Sequence, residues 1–236
     1  MGFTFAEIGK IESVFKEKFG TPRQSGLVPA SRAMIRLEPS LNLSEALFGL
    51  EEFSYVWILF VFHKNANKSF NSKIYPPRMG GDKIGLFATR SPHRFNPIGL
   101  SCAKIEKIDG NDIYVSGIDL IEGTPILDLK PYVPEVDSRP NAKRGWLERA
   151  RPSYLEVEMS TEALADLQTY DPDKKLCLHE MIMDILSQDP RNPMDKELSR
   201  EGKQLGFFLD DFNVIFSVKN SLATVLKVEP AENFHS

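Results

Sequence analysis

Cysteine is nearly absent. The 236 residues hold two, Cys102 and Cys177, far apart and outside any metal-type spacing. That excludes a disulfide-framed secreted module and a Cys/His zinc site, and leaves two reduced thiols in a cytoplasmic protein as the expectation. No charged-then-apolar segment leads into a small-residue cleavage site, so no signal peptide is expected. Long apolar runs are missing too: the longest, around Val56–Phe62, falls far below the ~20 residues of a membrane-spanning helix. Nor are there glycine patterns of the nucleotide-binding kind. Gly80-Gly81-Asp82-Lys83-Ile84-Gly85 has the wrong spacing for a dinucleotide fingerprint, and no helical pattern follows it. The chain lacks a P-loop, a nucleophile elbow and support for a hydrolase triad, and it shows no internal repeat or low-complexity tract.

What is present suffices for a real core: 42% of residues are hydrophobic and 10% aromatic, which excludes disorder as the main state. A net charge of −4 argues against a generic nucleic-acid coat. The charge is unevenly spread, however. Residues 63–104 carry eight Lys/Arg against one acid, and residues 153–236 carry eight against sixteen. A polyanion would therefore meet the middle of the chain and avoid the tail.

Periodicity divides the chain. Residues 3–15 suit an opening strand, Phe19–Leu27 a Gly/Pro loop, Ala33–Leu37 a short strand, and Ser44–Leu50 a brief helix closed by Gly49. Tyr55–Phe62, β-branched and aromatic throughout, predicts a strand buried on both faces. Residues 64–82 predict an exposed basic loop. Ile84–Thr89, Ser101–Ile108 and Asp112–Ile118 predict further strands, the last two joined by a turn at Asp109-Gly110-Asn111. Composition shifts over residues 134–152. Helical spacing follows at 160–170 and 174–186, then a terminal hairpin of Gly206–Val218 and Leu222–Val228. The reading is a mainly β protein with a smaller α+β part: an N-terminal β-barrel domain over 1–145 and a C-terminal α+β domain over 150–236.

Two Gly/Pro-punctuated segments draw the chemistry. In the first, Arg90, His93 and Arg94 share a turn bounded by Pro92 and Pro97. Two guanidiniums so held suit a carboxylate or phosphate, or equally a structural ion pair in a solvated loop. In the second, Asp119, Glu122 and Asp128 place three carboxylates near a strand end, fit for acid/base work, for ribose hydroxyls or, least, for a metal. Asp128, Lys130 and Tyr132 fall on one face if extended, as a polar site or a salt-bridged edge strand. His63 ends the most apolar strand, and Trp57 with the phenylalanines reads as core.

These residues resemble a known family. Phe87-Ala88-Thr89-Arg90-Ser91-Pro92-His93-Arg94-Phe95-Asn96-Pro97-Ile98-Gly99-Leu100-Ser101, followed by Asp119-Leu120-Ile121-Glu122-Gly123-Thr124-Pro125-Ile126-Leu127-Asp128-Leu129-Lys130-Pro131-Tyr132, is similar to the TrmO (TsaA/YaeB-like) family. Thr21-Pro22-Arg23-Gln24 and the Trp57–His63 strand match as well, and Asp189-Pro190-Arg191 and Asp211-Phe212-Asn213-Val214 match more loosely. Phe95 and Asn192 depart from it, each standing where the family usually has proline.

The resemblance implies a barrel that is not Rossmann-like, a homodimer with cofactor sites near the subunit interface, and transfer of a methyl group from S-adenosyl-L-methionine to N6 of threonylcarbamoyladenosine, the modified adenosine beside the anticodon of tRNA. By motif match the cofactor lies against Ser25, Gly26 and Leu27, against His63 and Lys64, and against Arg90, Leu100, Gly117, Ile118 and Asp119. The acceptor nitrogen is ureido-like and poorly nucleophilic, so Asp128 and Tyr132 are candidates to help it lose its proton. Lys130 is placed against the carbamoyl oxygen or the threonyl carboxylate. Residues 64–83 with Arg94, Lys143, Arg144, Arg149 and Arg151 form the expected phosphate-contacting surface. Two rival expectations remain. One is a non-catalytic RNA- or nucleotide-binding barrel. The other is a methyltransferase of the same fold acting on a small molecule or protein. No metal and no membrane are expected.

Overall fold

In a computed structural model of the protein, which describes residues 2–65, 71–79, 81–151, 153–192, 196 and 200–231, period-two alternation builds the first unit. Strands β1 (Gly9–Ser13), β2 (Arg32–Leu37) and β3 (Tyr55–Val61) each bury every second residue. A two-stranded excursion, β4 (Lys73–Ile74) and β5 (Ile84–Gly85), precedes β6 (Ile98–Asp109), β7 (Asp112–Ser116) and β8 (Pro125–Pro131). Six of these close into an antiparallel barrel in the order β1-β2-β7-β6-β3-β8. Ile11, Ile35, Val56, Ile58, Ile113, Val115 and Ile126 are almost solvent-free, so the lumen is filled with branched side chains. The seam is short: β8 meets β1 through Gly9↔Ile126 and Lys10↔Pro125 only. Bonds from the turn before β8 continue it, Gly123 N–H to the Ile11 carbonyl at 2.9 Å and Glu122 N–H to that of Phe15 at 2.8 Å.

After the short helix α1 (Pro134–Asp137) come β9 (Glu156–Met159), α2 (Thr161–Tyr170) and α3 (Leu178–Ser187), then β10 (Gln204–Leu209), β11 (Phe212–Lys219) and β12 (Leu222–Pro230). The sheet order is β10-β11-β12-β9, with β9 parallel to β12. Ser160 caps α2 by accepting from the Ala163 N–H at 3.0 Å. The buried Asp171 carboxylate accepts from the Leu176 and Leu178 N–H groups at 2.9 and 3.1 Å, setting the entry to α3. That helix buries Leu178, Met181, Ile182, Ile185 and Leu186. The two sheets share one core: Phe15 bridges to Leu209, and the Phe19 ring packs 6.4 Å from Phe207 and 6.3 Å from Phe216. No helix among the described residues is long and apolar enough to cross a membrane.

Several expectations need correction. The opening strand is confined to Gly9–Ser13, and Ser44–Leu50 is not one helix but runs across two 3-10 turns, Leu43–Leu47 and Leu50–Glu52, broken at Phe48-Gly49. Ile84–Thr89 is strand for two residues, then a 3-10 turn at Leu86–Ala88. The terminal hairpin is a three-strand meander, because β10 precedes it. Tyr55–Val61 is buried on one face only: Val56, Ile58 and Phe60 point inward, while Trp57, Leu59 and Val61 are half-buried.

Candidate functional site

The β1–β2 connection and the segment after β7 meet at one corner of the barrel. Gly26 donates its N–H to the Gly117 carbonyl at 2.7 Å. Both glycines have positive φ, +78° and +70°, and nothing lies within 4 Å of where a Gly26 side chain would begin. Bare backbone is thus presented to open space. Buried Ser31 fixes the far strand of this contact. Its carbonyl accepts from Gly117 N–H and its Oγ from Ile118 N–H, both at 2.9 Å.

The polar centre is Asp119. Its carboxyl accepts from Ser101 Oγ at 2.5 Å and from the Ser25 backbone N–H. Ser101 is 2% exposed and faces the lumen from β6. Burial pushes the Asp119 pKa up to about 6, against the pull of Ser101, Ser25 and the Arg90 charge. Ser25 Oγ accepts in turn from the Cys102 N–H at 3.2 Å, tying the loop to β6. Arg90 donates to Gln24 Oε1 at 2.6 Å, which brings the proline-bounded turn to the same corner. Within that turn Arg94 donates to the Thr89 carbonyl at 2.9 Å, and His93 is exposed.

His63 and Lys64 follow β3. Partial burial lowers the His63 pKa and the Lys64 charge lowers it further. Lys64 Nζ reaches the Lys16 carbonyl at 3.1 Å, and Lys18 Nζ the Lys64 carbonyl at 2.7 Å. These bonds tie the pair to the start of the connection that carries Ser25–Leu27, but not directly to Asp119.

Strand register places the remaining candidates. Leu59 pairs with Leu100 on one side and Asp128 on the other, and Trp57 pairs with Cys102 and Lys130. Leu100, 55% exposed, and Asp128 therefore lie two strands apart, about 10 Å, on the outer barrel surface. Lys130 Nζ sits 2.9 Å from Asp128 Oδ2. Tyr132 completes the row, its ring 5.8 Å from Trp57 and 6.2 Å from Tyr55. A bulge opposite Leu59/Phe60 makes Leu127 the extra residue and turns Asp128 outward.

Other expectations fare differently. The three acidic residues do not form one cluster. Asp119 sits at the lumen end, Asp128 outside, and Glu122 Oε2 accepts from the Ser13 N–H at 2.6 Å as part of the seam. Trp57, read as core, instead lies half-buried on the outer face, donating Nε1–H to Asp137 Oδ2 at 3.0 Å. Its neighbours on both faces are equally apolar, so no pattern in the residues marks it as outward. Ser101 was also missed, since a lone serine in a strand carries no mark. Of the expected basic surface, Lys68 lies outside the described residues. Lys143, Arg144, Arg149 and Arg151 are exposed, and Trp146 Nε1–H to the Ala88 carbonyl (2.7 Å) and Arg151 N–H to the Arg78 carbonyl (3.0 Å) hold that segment against residues 78–88.

A closed antiparallel barrel with an appended α+β unit and a glycine-shaped polar corner built by loops rather than by a parallel sheet defines a ligand-binding barrel protein outside the Rossmann class. Comparison with known proteins makes the class specific. The chain belongs to the TrmO family: the model of the tRNA-methyltransferase O N-terminal domain matches residues 10–138, and that of the TrmO C-terminal domain residues 152–231. An Escherichia coli protein named tRNA (adenine(37)-N6)-methyltransferase is 37% identical over 236 residues, covering 97% of this chain and 98% of its own. A Rattus norvegicus protein of the same name is 51% identical over 152 residues, covering 62% of this chain and 35% of that protein. The chain thus spans about a third of the length of the mammalian relatives it matches. The crystal structure of TrmO from Pseudomonas aeruginosa superposes with a TM-score of 0.80 at 37% identity, covering 98% of both chains.

The corner suits S-adenosylmethionine on its own chemistry. That molecule carries a carboxylate, an ammonium, ribose hydroxyls and a flat base. The corner offers a guanidinium at Arg90, an enclosed carboxyl at Asp119, bare backbone at Gly26 and apolar Leu27, with Leu100 on the outer face of the strand that carries Ser101.

Proposed function

We propose that this protein is an S-adenosyl-L-methionine-dependent methyltransferase that methylates N6 of threonylcarbamoyladenosine beside the anticodon of tRNA. It works in the cytoplasm as a homodimer, with the barrel domain (1–145) holding cofactor and chemistry and the α+β domain (150–236) appended. The observation that carries this reading is the Asp119–Ser101–Ser25 corner, in a chain alignable almost end to end with a bacterial protein named for methylation of adenine 37.

When bound, the cofactor supplies an electrophilic methyl group on a sulfonium. The chain does the rest. Arg90 meets the methionine carboxylate, Asp119 accepts from ribose or ammonium, and Leu27 and Leu100 flank the adenine, with Ser25, Gly26, Gly117 and Ile118 as backbone walls. His63 and Lys64 close the rim. On the outer face Asp128 takes the proton of the weakly nucleophilic acceptor nitrogen, with Tyr132 beside it. Lys130, already paired with Asp128, meets the carbamoyl oxygen or threonyl carboxylate. The exposed basic segments meet tRNA phosphates.

The direct test is methyl transfer from labelled S-adenosylmethionine to tRNA carrying or lacking threonylcarbamoyladenosine. Incorporation into the modified tRNA alone is expected. Cofactor binding without incorporation would move the reading to another acceptor, and no cofactor binding would favour a non-catalytic barrel. In the same assay Asp128→Asn should lower kcat by roughly 10²-fold or more while cofactor affinity stays normal. Intact turnover with normal binding would remove Asp128 as the base.

A further inference from the structure

The connection carrying Ser25–Leu27 has two sides. One faces the barrel through Gly26–Gly117, Ser25–Cys102 and Ser25–Asp119. The other side is held by the C-terminal unit. Before the loop, Glu17 Oε1 accepts from the Phe208 N–H at 3.2 Å. Gly20 lies so close to Phe207 that an added Cβ would fall 2.6 Å from its ring. At the loop itself, Arg23 Nη2 donates to the Asp189 carbonyl at 3.2 Å and Gln188 Nε2 to the Leu27 carbonyl at 2.9 Å.

The anchoring end is densely bonded. Asp189 is 1% exposed, sits at φ +48°, and its carboxylate is clasped by Arg191 at 2.8 and 3.1 Å, Lys196 at 2.8 Å and Ser153 Oγ at 3.0 Å. Between anchor and loop the contact is not solid. A recess of about 110 Å³, lined by Lys18, Thr21, Arg23, Val28, Ile185 and Gln188 among others, runs behind the loop. Val28 is anchored in the shared core, but at this recess the loop and the C-terminal unit are not in continuous contact, so packing alone leaves Arg23 and Leu27 incompletely held. Across it run two directed hydrogen bonds, Arg23 to the Asp189 carbonyl and Gln188 to the Leu27 carbonyl.

We infer that Gln188 and Asp189 are positioning residues for the cofactor, the C-terminal unit bracing the Arg23–Leu27 loop at the distance from Gly117–Asp119 that the bound ligand needs. This rests on the reading of Ser25–Leu27 as cofactor contacts. A loop released into the recess keeps its fold but loses preorganisation, so the cost falls on binding rather than on stability.

The test uses the full-length chain with S-adenosylmethionine as the probe, followed by calorimetry, with separate KM values for cofactor and modified tRNA. Gln188→Met, of similar length but without a donor, should raise the cofactor Kd about fivefold. Gln188→Glu, which sets a carboxylate against the Leu27 carbonyl, should raise it more. Gln188→Lys, which restores a donor, should stay within about twofold of wild type, on the same single-bond scale. The KM for tRNA and the melting temperature should hardly move. Wild-type binding with Kd unchanged in both the Met and Glu variants overturns the inference alone, as does a fall in melting temperature with Kd unchanged, which marks a merely structural role. Failure of the wild-type chain to bind S-adenosylmethionine overturns this inference and the methyltransferase reading together.

Discussion

Replacing Asp119 by Asn is expected to weaken S-adenosylmethionine binding at pH 7.5 by roughly 10- to 100-fold, the worth of a charge-assisted hydrogen bond at about 1.5–3 kcal/mol. The carboxyl is enclosed between Ser101 Oγ and the Ser25 N–H. An amide of the same shape lacks the charge and has one acceptor oxygen in place of two. The pH dependence gives a second signature. Burial raises the Asp119 pKa to about 6, so the group is neutral below that value and charged above it. Wild-type affinity should fall as pH drops through 6, and the Asn variant should lack that component. His63 has a lowered pKa and titrates below its ordinary value, which is why the difference between wild type and variant is the quantity to read.

The sign for folding is opposite. A carboxyl whose folded pKa lies above the ordinary 3.8 holds its proton longer when folded. Its contribution to stability therefore declines as pH rises from about 4 to 6 and is constant above. Asp119→Asn should remove that slope from a plot of melting temperature against pH. Calorimetric titration between pH 5 and 8 checks the first part. Identical pH profiles for the two proteins would end the assignment.

Gly99→Ala is expected to cost about 3 kcal/mol, the upper part of the usual range for overpacking. Gly99 pairs directly with Phe60 across β3 and β6. A Cβ there would lie 2.2 Å from Phe60 Cζ and within 2.6 Å of two further ring carbons. The ring has nowhere to go, being 5% exposed and packed edge-on against Phe62 at 5.0 Å. For a chain of this length the melting temperature should fall by roughly 6–12 °C. Because Leu100 and Ser101 follow in the same strand, cofactor affinity should fall with it. Phe60→Leu in the Gly99→Ala background should recover more than half of the loss, since it removes the clashing atoms. Simple additivity of the two losses would show that the clash is not the cause.

Much of this architecture was legible in the residues, and the failures have physical reasons. Alternation and the turn read at Asp109-Gly110-Asn111 identify the barrel strands, because side-chain period and turn chemistry are local properties. Tyr55–Val61 misleads because its outward residues are as apolar as its inward ones. Composition then hides a face that only register reveals, and Trp57 goes with it. The three acidic residues are close in sequence, yet a turn sends Glu122 to the seam and a bulge at Leu127 turns Asp128 outward. Neither event has a sequence mark. Ser101 and Gln188 act at sequence separations of 18 and 161 residues, beyond any pattern a single chain displays.

The short seam has a thermodynamic consequence. Barrel closure is completed by bonds from Gly123 to Ile11 in β1 and from Glu122 to Phe15 just after it, and these residues directly follow the segment that bears Asp119. The other end of β1 feeds the connection that bears Ser25. A ligand that contacts both the Ser25 segment and the Asp119 segment, already linked by the Ser25 N–H bond to the Asp119 carboxyl, would add a further tie between the two chain segments that must part for the barrel to open. Its binding energy would add to the closed state and be lost on opening, so a cofactor bound there, as proposed, would favour closure and closure would favour its binding.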